Sequence, residues 1–484
     1  MSIISREGIF QVLTAMNPWW ATGIMPTELS KQFRRFVYYD SMKWLENENL
    51  RRFVLLTGLR RVGKTTILYQ MMDALLKRGV PPQKIVFISM DHPMLKLSGI
   101  NEILECYHEN IYAEQDAYYF FDEIQYAADW DLWFKVIYDR QKSTRAVATG
   151  SASPALLKGS RESGVGRWTD IAVPTLSFYE YCQLSEVGQD ITLPEGFHPM
   201  DFVKLDRTEQ HLIINRVSAV QNYFMRYLQF GGFPELAIGQ PEPMLAHQII
   251  RDDVVDRVLK RDLPALYNIR NTTELEKIFL YLCNVSSSIV SIEAIAKELT
   301  EVSRPTVENY IRYLESASLI YVSQPVGMAG RKVLKSRPKI YVADAAIRNA
   351  VLLDSSLLTN AEAMGVVVET AVYKHVLMYY YKRVTHVGYF RGGSKNKEID
   401  IVVDFPDSQK SLIEVKYREQ APIANDDAIC DLASEAKAAV VVTKRGDDYG
   451  VHNAPNGQLL ARIPAYAFLY MLGHAEQNER NHFI

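Results

Sequence analysis

The sequence is poor in the residues that mark several classes of protein. Only four cysteines occur in 484 residues, at positions 106, 182, 283 and 430, and no two of them form a CxxC pair. This spacing indicates neither a zinc knuckle nor a disulfide framework, so we expect reduced thiols in the cytoplasm. No apolar run reaches the length of a transmembrane helix, and the first residues lack the basic and apolar regions of a secretory signal. We therefore expect a soluble cytoplasmic protein without a membrane partner.

An excess of positive charge is also missing. The chain has 54 Lys and Arg against 57 Asp and Glu, a formal net charge of -3. This balance excludes a uniformly basic nucleic-acid coat but leaves room for a local basic groove. Hydrophobic residues make up 48% of the chain and charged residues 23%, which is typical of a globular protein with buried cores. The length is sufficient for roughly three or four domains.

The clearest motif is a buried strand that leads into a glycine-rich turn and an amphipathic helix, FVLLTGLRRVGKTTILYQMMDALL, from residue 53. The turn has the spacing of a phosphate-binding P-loop, in which Gly58 and Gly63 precede Lys64 and Thr65. Glycines let backbone N–H groups surround the phosphates, and the start of the helix adds its dipole. We expect Lys64 to reach the β- and γ-phosphates of ATP and Thr65 to hold Mg²⁺. The predicted nucleotide-binding residues of this segment are Gly58, Arg61, Gly63, Lys64, Thr65 and Thr66.

A second apolar strand, in AYYFFDEIQ, supplies the carboxylates that such a loop requires. It ends in Asp122, predicted to bind Mg²⁺ through water, and Glu123, predicted to polarise the attacking water. A further strand, in TRAVATGSASPALL, ends near Ser151, whose hydroxyl is placed to sense the γ-phosphate. Strands and helices that alternate in this way predict a parallel sheet with the ligand at the carboxyl ends of the strands.

Five segments together resemble one bacterial and archaeal family: GLRRVGKTT, FFDEIQYAADWDLWFKVIYD, TGSAS, GRWTDIAVPTLSFYEY and YLQFGGFPELA. It is the family of AAA+-type P-loop ATPases with a C-terminal restriction-endonuclease-like domain. The resemblance covers nearly the whole chain, from NPWW near residue 17 to the strand after residue 437. It implies an ATPase of the signal-transduction or ORC-like branch and a homo-oligomer in which a neighbouring copy completes the site. It also implies that Arg167 is an arginine finger or sensor, with Arg161 as a rival for that role.

The segment GGFPE, residues 231–235, lies in a stretch, 217–236, that we predict to be helical. It is similar to the Gly-x-Pro element that signal-transduction ATPases place near the nucleotide. The resemblance implies that Pro234 packs beside the base or phosphates. The alternative is a helix C-cap followed by a proline, which backbone geometry alone favours.

The segment VSIEAIAKELTEVSRPTVENYIRYLESASLIYV predicts two short helices, capped by Ser291 and Ser303, and then a strand. This order is typical of a winged helix, spanning about 285–330, whose second helix enters the major groove of DNA. The exposed side chains of that helix have mixed charge: Arg304, Glu308, Asn309, Arg312 and Glu315. Because phosphate contacts need cations, the alternative is a module for packing or oligomer contact.

Two strands in KNKEIDIVVDFPDSQKSLIEVKYR, residues 395–418, bring several charged residues together. The two-residue period of a strand places Glu398, Asp400 and Val402 on one face, and Glu414 and Lys416 on one face of the second strand. We expect Asp400 and Glu414 to bind Mg²⁺ or Mn²⁺, and Lys416 to position the attacking water or stabilise developing charge.

This Asp…Glu-x-Lys order is that of restriction-endonuclease-like (PD-(D/E)xK) folds, in which a preceding helix often supplies another acid. Glu369, in the predicted helix AEAMGVVVETAVYKHVLMYYYKR, fits that place, and the family resemblance points to the same residue. Glu398 either assists or is solvated. The alternative is the charged face of an ordinary hairpin.

The predicted fold class is α/β: a P-loop parallel-sheet ATPase core with a helical lid, a winged helix and a C-terminal restriction-endonuclease-like α/β domain. The predicted ranges are an N-terminal segment at 1–34, the ATPase core at 35–195, the lid at 196–275, the winged helix at 276–330 and the endonuclease-like domain at 331–484.

Two functions follow from this organisation. The first is an ATPase, converting ATP and water to ADP and phosphate, coupled to a DNA-binding domain that cleaves DNA with a metal ion. The second is a nucleotide-dependent assembly or signalling switch whose nuclease-like domain binds without cutting.

Overall fold

A computed structural model describes residues 4–151, 166–299, 302–327, 336–353, 360–392 and 397–481. Arg161, the alternative to Arg167, lies outside these ranges. The chain divides into two compact units, Met1–Pro174 and Thr175–Ile484. In the described residues, no helix combines the length and the hydropathy needed to cross a membrane.

The first unit is built on a five-stranded sheet with the order β2-β3-β4-β1-β5, in which every neighbouring pair is parallel. Strand β1 is buried along its whole length, as expected for a parallel strand covered by helices on both faces. The predicted parallel sheet is therefore confirmed. The strands are β1 Phe53–Thr57, β2 Ile85–Ser89, β3 Tyr118–Asp122, β4 Arg145–Gly150 and β5 Trp168–Ala172.

The helices of this unit connect the strands and cover the sheet. Between β1 and β2 the chain forms the long helix that follows the glycine-rich turn. The helices are α1 Arg6–Met16, α2 Trp19–Thr22, α3 Phe36–Leu45, α4 Lys64–Lys77, α5 Ile100–Asn110 and α6 Trp130–Arg140, with short 3₁₀ turns at Pro82–Lys84, Leu95–Leu97 and Ile124–Tyr126.

The N-terminal segment covers the outer edge of this sheet. The Asn17 side chain accepts a hydrogen bond from the Phe87 N–H at 2.6 Å and donates to the Phe87 carbonyl at 2.9 Å. The indole N–H groups of Trp19 and Trp20 both donate to the Ile85 carbonyl, at 3.0 and 2.8 Å. These side chains satisfy backbone groups that an edge strand would otherwise leave unpaired. Residues of the segment predicted at 1–34 thus pack on the edge of the sheet, within the same compact unit.

The second unit begins with helices, and the segment predicted as a helical lid is helical. The predicted helix over 217–236 is interrupted, because the chain breaks at Gly231 and Gly232. The helices are α7 Phe178–Leu184, α8 Arg207–Val217, α9 Gln221–Phe230, α10 Pro234–Gly239, α11 Pro243–Ile250 and α12 Leu263–Tyr267; 3₁₀ turns lie at Pro199–Lys204 and Ser218–Val220, and π-helical turns at Arg251–Asp256 and Val258–Asp262.

A small antiparallel sheet of order β6-β8-β7 follows, together with the two short helices that the sequence predicts. Because β8 pairs with β7, the boundary placed at 330–331 falls between two partner strands. The elements are α13 Thr272–Asn284, β6 Ser288–Ile289, α14 Ile292–Glu298, α15 Arg304–Ser316, β7 Ile320–Ser323, β8 Lys339–Val342 and α16 Ala345–Leu352.

The C-terminal part holds a mixed six-stranded sheet of order β13-β14-β12-β11-β10-β9. Strand β11 is antiparallel to β10 and parallel to β12. The elements are α17 Ala361–Tyr379, β9 His386–Gly392, β10 Lys397–Asp404, β11 Lys410–Lys416, α18 Ala428–Leu432, a 3₁₀ turn at Ala433–Glu435, β12 Ala436–Thr443, β13 Gly450–Asn453, β14 Leu459–Pro464 and α19 Ala465–Asn481.

A buried ion pair lies at the centre of the second unit. The Lys374 ammonium of α17 donates to Asp344 Oδ2 at 2.8 Å, and both side chains are less than 5% exposed. The same ammonium donates to the Tyr227 hydroxyl at 2.7 Å, and to Thr175 Oγ1 and the Leu176 carbonyl, each at 3.0 Å. One lysine therefore joins segments that lie up to 199 residues apart.

The replacement Lys374→Met should destabilise the second unit strongly, because it leaves Asp344 charged, buried and without its cation. We expect a loss of about 3–5 kcal/mol, measured as the change in the free energy of unfolding in urea. The matched control is Lys260→Met, since Lys260 forms an exposed pair with Asp256 at 2.8 Å and its loss should cost less than about 1 kcal/mol. Equal effects of the two substitutions would contradict a central role for the buried pair.

Candidate nucleotide site and carboxylate cluster

The glycine-rich turn joins the end of β1 to the start of α4. Gly58 approaches the Val173 backbone so closely that a Cβ at this position would lie 2.3 Å from the Val173 carbonyl oxygen. Gly63, at the end of the turn, has a φ of 92°, a backbone conformation that glycine adopts without strain. The two glycines therefore let the turn close tightly beneath the first residue of α4.

Lys64 is the first residue of α4, and its side chain is buried inside the turn. Its ammonium group donates to the carbonyl oxygens of Gly58 at 2.9 Å and Leu59 at 2.8 Å. A cation is thus held at the mouth of a loop lined by backbone groups. This position suits an ammonium that exchanges carbonyl partners for phosphate oxygens.

Asp122, at the end of β3, lies beside the turn. Its carboxylate accepts hydrogen bonds from Thr65 Oγ1 at 2.9 Å and Thr149 Oγ1 at 2.5 Å. Burial raises the pKa of Asp122 to about 6, although both hydroxyl contacts act in the opposite direction. Thr65 and Asp122, which the sequence assigned to the same Mg²⁺, are therefore in direct contact.

Glu123 follows directly, with a left-handed φ of 51°. The backbone N–H of Glu123 donates to Thr149 Oγ1 at 2.9 Å. The Gln125 amide bridges the Glu123 carboxylate and Ser151 Oγ, the latter at 3.1 Å. Gln125 thus links Ser151, predicted to sense the γ-phosphate, to Glu123, predicted to polarise the attacking water.

Sequence reasoning missed the roles of Thr149 and Gln125. Thr149 contacts both acids because β4 is the neighbour of β3 in the sheet, an order that the sequence does not state. The sequence does offer one signal for Thr149: it is a hydroxyl residue at the carboxyl end of β4, the strand that follows the one ending in Asp122.

Other predicted residues are less closely involved. Arg61 is exposed in the turn, with a φ of 62°, and Thr66 is the third residue of α4.

Arg167 precedes β5, and its carbonyl oxygen accepts a hydrogen bond from the N–H of Phe53, the first residue of β1. Its guanidinium is paired with Asp139 at 3.0–3.1 Å. Because the P-loop follows the opposite end of β1, Arg167 is not brought to the nucleotide site of its own chain. Pro234 is the first residue of α10 in the second unit, and its role near the nucleotide stays a prediction.

A second cluster of charges lies in the C-terminal unit, around a lysine that sequence reasoning did not select. Lys339, the first residue of β8, is 2% exposed. Its ammonium lies 2.9 Å from Glu369 Oε1, 3.0 Å from Glu398 Oε1 and 3.1 Å from Asp400 Oδ1. The three carboxylates and Lys339 are called the Lys339 cluster below.

Neighbouring groups complete the hydrogen bonding of the cluster. The Tyr341 hydroxyl donates to Glu369 Oε1 at 3.0 Å, and the Val415 N–H donates to Asp400 Oδ2 at 2.9 Å. Burial acts to lower the pKa of Lys339, but the three acids more than offset it and the pKa is raised. Burial and Asp400 raise the pKa of Glu369 to about 7.

The two remaining predicted residues lie outside the contacts of Lys339. Glu414 Oε2 is buried and has no hydrogen-bond partner among the described residues, and burial together with Asp400 raises the pKa of its carboxyl. Lys416 donates to Asp427 Oδ2 at 2.7 Å. The structure therefore brings Glu369, Glu398 and Asp400 together around a cation, whereas Lys416 is paired elsewhere.

A β-bulge explains one error in the predicted strand faces. The pairing of β10 with β9 shifts between Ile399 and Val402, so strict alternation fails there. Val402 packs in the same apolar cluster as Ile399, Leu412 and Ile429, not on the face of Asp400 as predicted. Over the described ranges, no group of three or more His, Cys, Asp or Glu side chains is arranged to hold a metal ion.

Comparison with known families and proteins covers much of the chain. The AAA domain family matches residues 50–182. Two domains of unknown function, DUF8612 and DUF4143, match residues 221–358 and 364–466. The chain is 26% identical over 411 residues to an uncharacterised protein of Methanocaldococcus jannaschii, covering 81% of this chain and 82% of that protein. An uncharacterised protein of Haemophilus influenzae is 24% identical over 305 residues, covering 61% and 68%.

Similar solved structures include the Aeropyrum pernix ORC2 protein, at 12% identity and a TM-score of 0.36, covering 73% of this chain and 96% of that chain. The Aeropyrum pernix ORC1 protein in complex with DNA has 13% identity and a TM-score of 0.29, covering 70% and 97%. The Thermotoga maritima RuvB branch migration motor has 19% identity and a TM-score of 0.28, covering 64% and 98%. At these low scores the likenesses carry no further argument.

The close packing of Gly58 gives a direct test of the turn. Gly58→Ala should lower the free energy of unfolding by about 1–3 kcal/mol, because the added methyl group overlaps the Val173 carbonyl oxygen. The control is Gly365→Ala in helix α17, where nothing lies within 4 Å of the added carbon and alanine should stabilise slightly. Chemical denaturation measures both, and an unchanged stability in Gly58→Ala would show that the turn is looser than described.

The parallel sheet, the glycine-rich turn closed around Lys64 and the contact of Thr65 with Asp122 agree with the matched family. Residues 50–182 of this chain thus match the AAA domain family in sequence, and their geometry is consistent with that match.

Proposed function

We propose that the protein is an ATPase that acts as a nucleotide-dependent switch. The observation that carries this proposal is the arrangement of Lys64, Thr65 and Asp122 at one end of a parallel sheet, with Glu123 beside them. The substrate is ATP, and the products are ADP and phosphate.

The glycine-rich turn and Lys64 bind the phosphates. The Lys64 ammonium, now on two carbonyl oxygens, moves onto phosphate oxygens without leaving its place at the start of α4. The helix N-terminus and the backbone N–H groups of the turn add favourable partial charge. Thr65 and Asp122 offer the hydroxyl and carboxylate oxygens that Mg²⁺ prefers, and this ion neutralises the phosphate charge when bound.

Glu123 is the residue that activates water for hydrolysis. Its carboxylate is oriented by Gln125, and its backbone is tied to Thr149, which also contacts Asp122. A carboxylate held in this way can accept a hydrogen bond from the attacking water and align it with the γ-phosphate. Ser151, joined to the same Gln125, is placed to respond to the presence of that phosphate.

The role of Arg167 is proposed to be in trans. Arg167, just before β5, is paired with Asp139. This ion pair keeps Arg167 away from the proposed nucleotide site of its own chain. A homo-oligomer that presents Arg167 to a neighbouring site is the arrangement in which this residue contributes to catalysis. Such completion by a neighbour would couple assembly to bound nucleotide.

The surface of helix α15 favours the switch over a DNA-reading role. Arg304 is paired with Glu293 at 2.7 Å and with Glu308 at 2.9 Å. A cation that is already paired with carboxylates of the protein displaces few counterions from DNA. It therefore adds little to the affinity for DNA. DNA binding therefore stays a second candidate, supported by the two-helix and hairpin order of residues 292–342.

The experiment that tests the proposal compares three variants in ATP binding and in phosphate release. Lys64→Ala should lose ATP affinity by about tenfold or more, because a charged hydrogen-bond donor is removed from the phosphates. Glu123→Gln should keep its ATP affinity but lose about 10²–10⁴-fold in turnover.

The matched control is Lys77→Ala at the far end of the same helix, where the exposed Lys77 pairs with Asp73, which also accepts a hydrogen bond from Ser30. It should behave as the unchanged protein. Full turnover in Lys64→Ala would overturn the proposed ATPase site. Stimulation of turnover by duplex DNA, lost on Arg312→Ala, would support the second candidate instead of the switch.

A further inference from the structure

The Lys339 cluster contains two of the carboxylates predicted to bind a metal, Glu369 and Asp400, with an ammonium group between them. Three carboxylate oxygens, from Glu369, Glu398 and Asp400, lie 2.9–3.1 Å from the Lys339 ammonium. Lys339 is on β8, which pairs with β6 and β7 and is not part of the six-stranded sheet. The cation is thus delivered to the carboxylates by a separate sheet.

We propose that Lys339 is a built-in cation that takes the place of the divalent metal in this cluster. In this proposal the C-terminal unit carries a metal-free, structural form of a nuclease site. The inference goes beyond the proposed ATPase switch and does not depend on it.

A metal ion bound by the oxygens that contact Lys339 would compete with the ammonium group for them. Magnesium binds oxygen at 2.0–2.1 Å, whereas these oxygens surround the ammonium at hydrogen-bond distance. A divalent ion held by Glu369 Oε1 and Asp400 Oδ1 would lie against the Lys339 ammonium, and the two cations would repel each other. This pair of oxygens therefore does not fit the metal while Lys339 keeps its place.

The backbone of Lys339 is fixed within its sheet. Its strand is held on both sides, by pairing of Lys339 with Ser323 in β7 and with Ile289 in β6. The next residues of the strand, Ile340 and Tyr341, are fully buried. An ammonium moved out of the cluster would lose all three carboxylates while its stem remained in the core.

The lysine that a nuclease needs is also engaged elsewhere. Lys416, predicted to position the attacking water, donates to Asp427 instead. Glu414, the second predicted metal ligand, lies outside the set of oxygens that contact Lys339. The contacts of Lys339 consequently tie β8, α17 and β10 together.

Manganese binding to the full-length, nucleotide-free protein tests the proposal, with electron paramagnetic resonance reporting the bound fraction of Mn²⁺. Unchanged protein and Asp400→Asn should bind the same amount of Mn²⁺. Lys339→Met should bind one additional ion per chain, because the acids lose their internal cation. The double variant Lys339→Met with Asp400→Asn should lose that ion again.

The control for a lysine-to-methionine change is Lys397→Met on β10, where Lys397 pairs with Asp431 at the surface; it should bind no additional ion. A folded Lys339→Met protein, judged by its thermal transition, that gains no ion would overturn the proposal. So would Mn²⁺ binding by the unchanged protein that Asp400→Asn removes. That second comparison needs no Lys339 variant and decides the question even if Lys339→Met does not fold.

Discussion

The buried ion pair between Lys374 and Asp344 is the constraint on which the second unit depends. Two charges removed from water are costly, and only complete hydrogen bonding compensates for that cost. Lys374 makes four such contacts, which include the Tyr227 hydroxyl and the Leu176 carbonyl. Because Lys374 lies on α17, these contacts also fix the rotation of the helix. Glu369 lies five residues earlier and therefore about 140° around the same helix, so that α17 is held on two faces by charges of opposite sign.

The same principle recurs in both units, with different consequences. In the first unit, Lys64 and Asp122 are buried and held by neutral groups, namely carbonyl oxygens and hydroxyls, which a nucleotide replaces in the function that we propose. In the Lys339 cluster the partners of the ammonium are charged side chains of the protein itself. Buried charge is thus held by neutral polar groups at one site and by opposite charges at the other.

The sequence predicts what is encoded locally. The glycine-rich turn and the acids after β3 are contiguous motifs, and the parallel sheet follows from alternating strands and helices. Lys339 escaped notice because its partners lie 30–61 residues away and its strand reads as an ordinary apolar segment. The face of Val402 was wrong because a bulge changes the strand period at one point. The helical break at Gly231 and Gly232 comes from close packing: a Cβ at Gly232 would lie 2.5 Å from the Leu176 nitrogen.

The residues that precede position 50 protect the edge of the parallel sheet. Asn17, Trp19 and Trp20 occupy the outward-facing backbone groups of Ile85 and Phe87. A chain shortened to begin at residue 35 would keep its whole phosphate loop, yet it would expose the edge of β2 to strands from other molecules. Open edges of this kind recruit further strands and lead to aggregation. The segment around the first helices therefore shields the open edge of the sheet, so protection against edge pairing is encoded outside the glycine-rich turn.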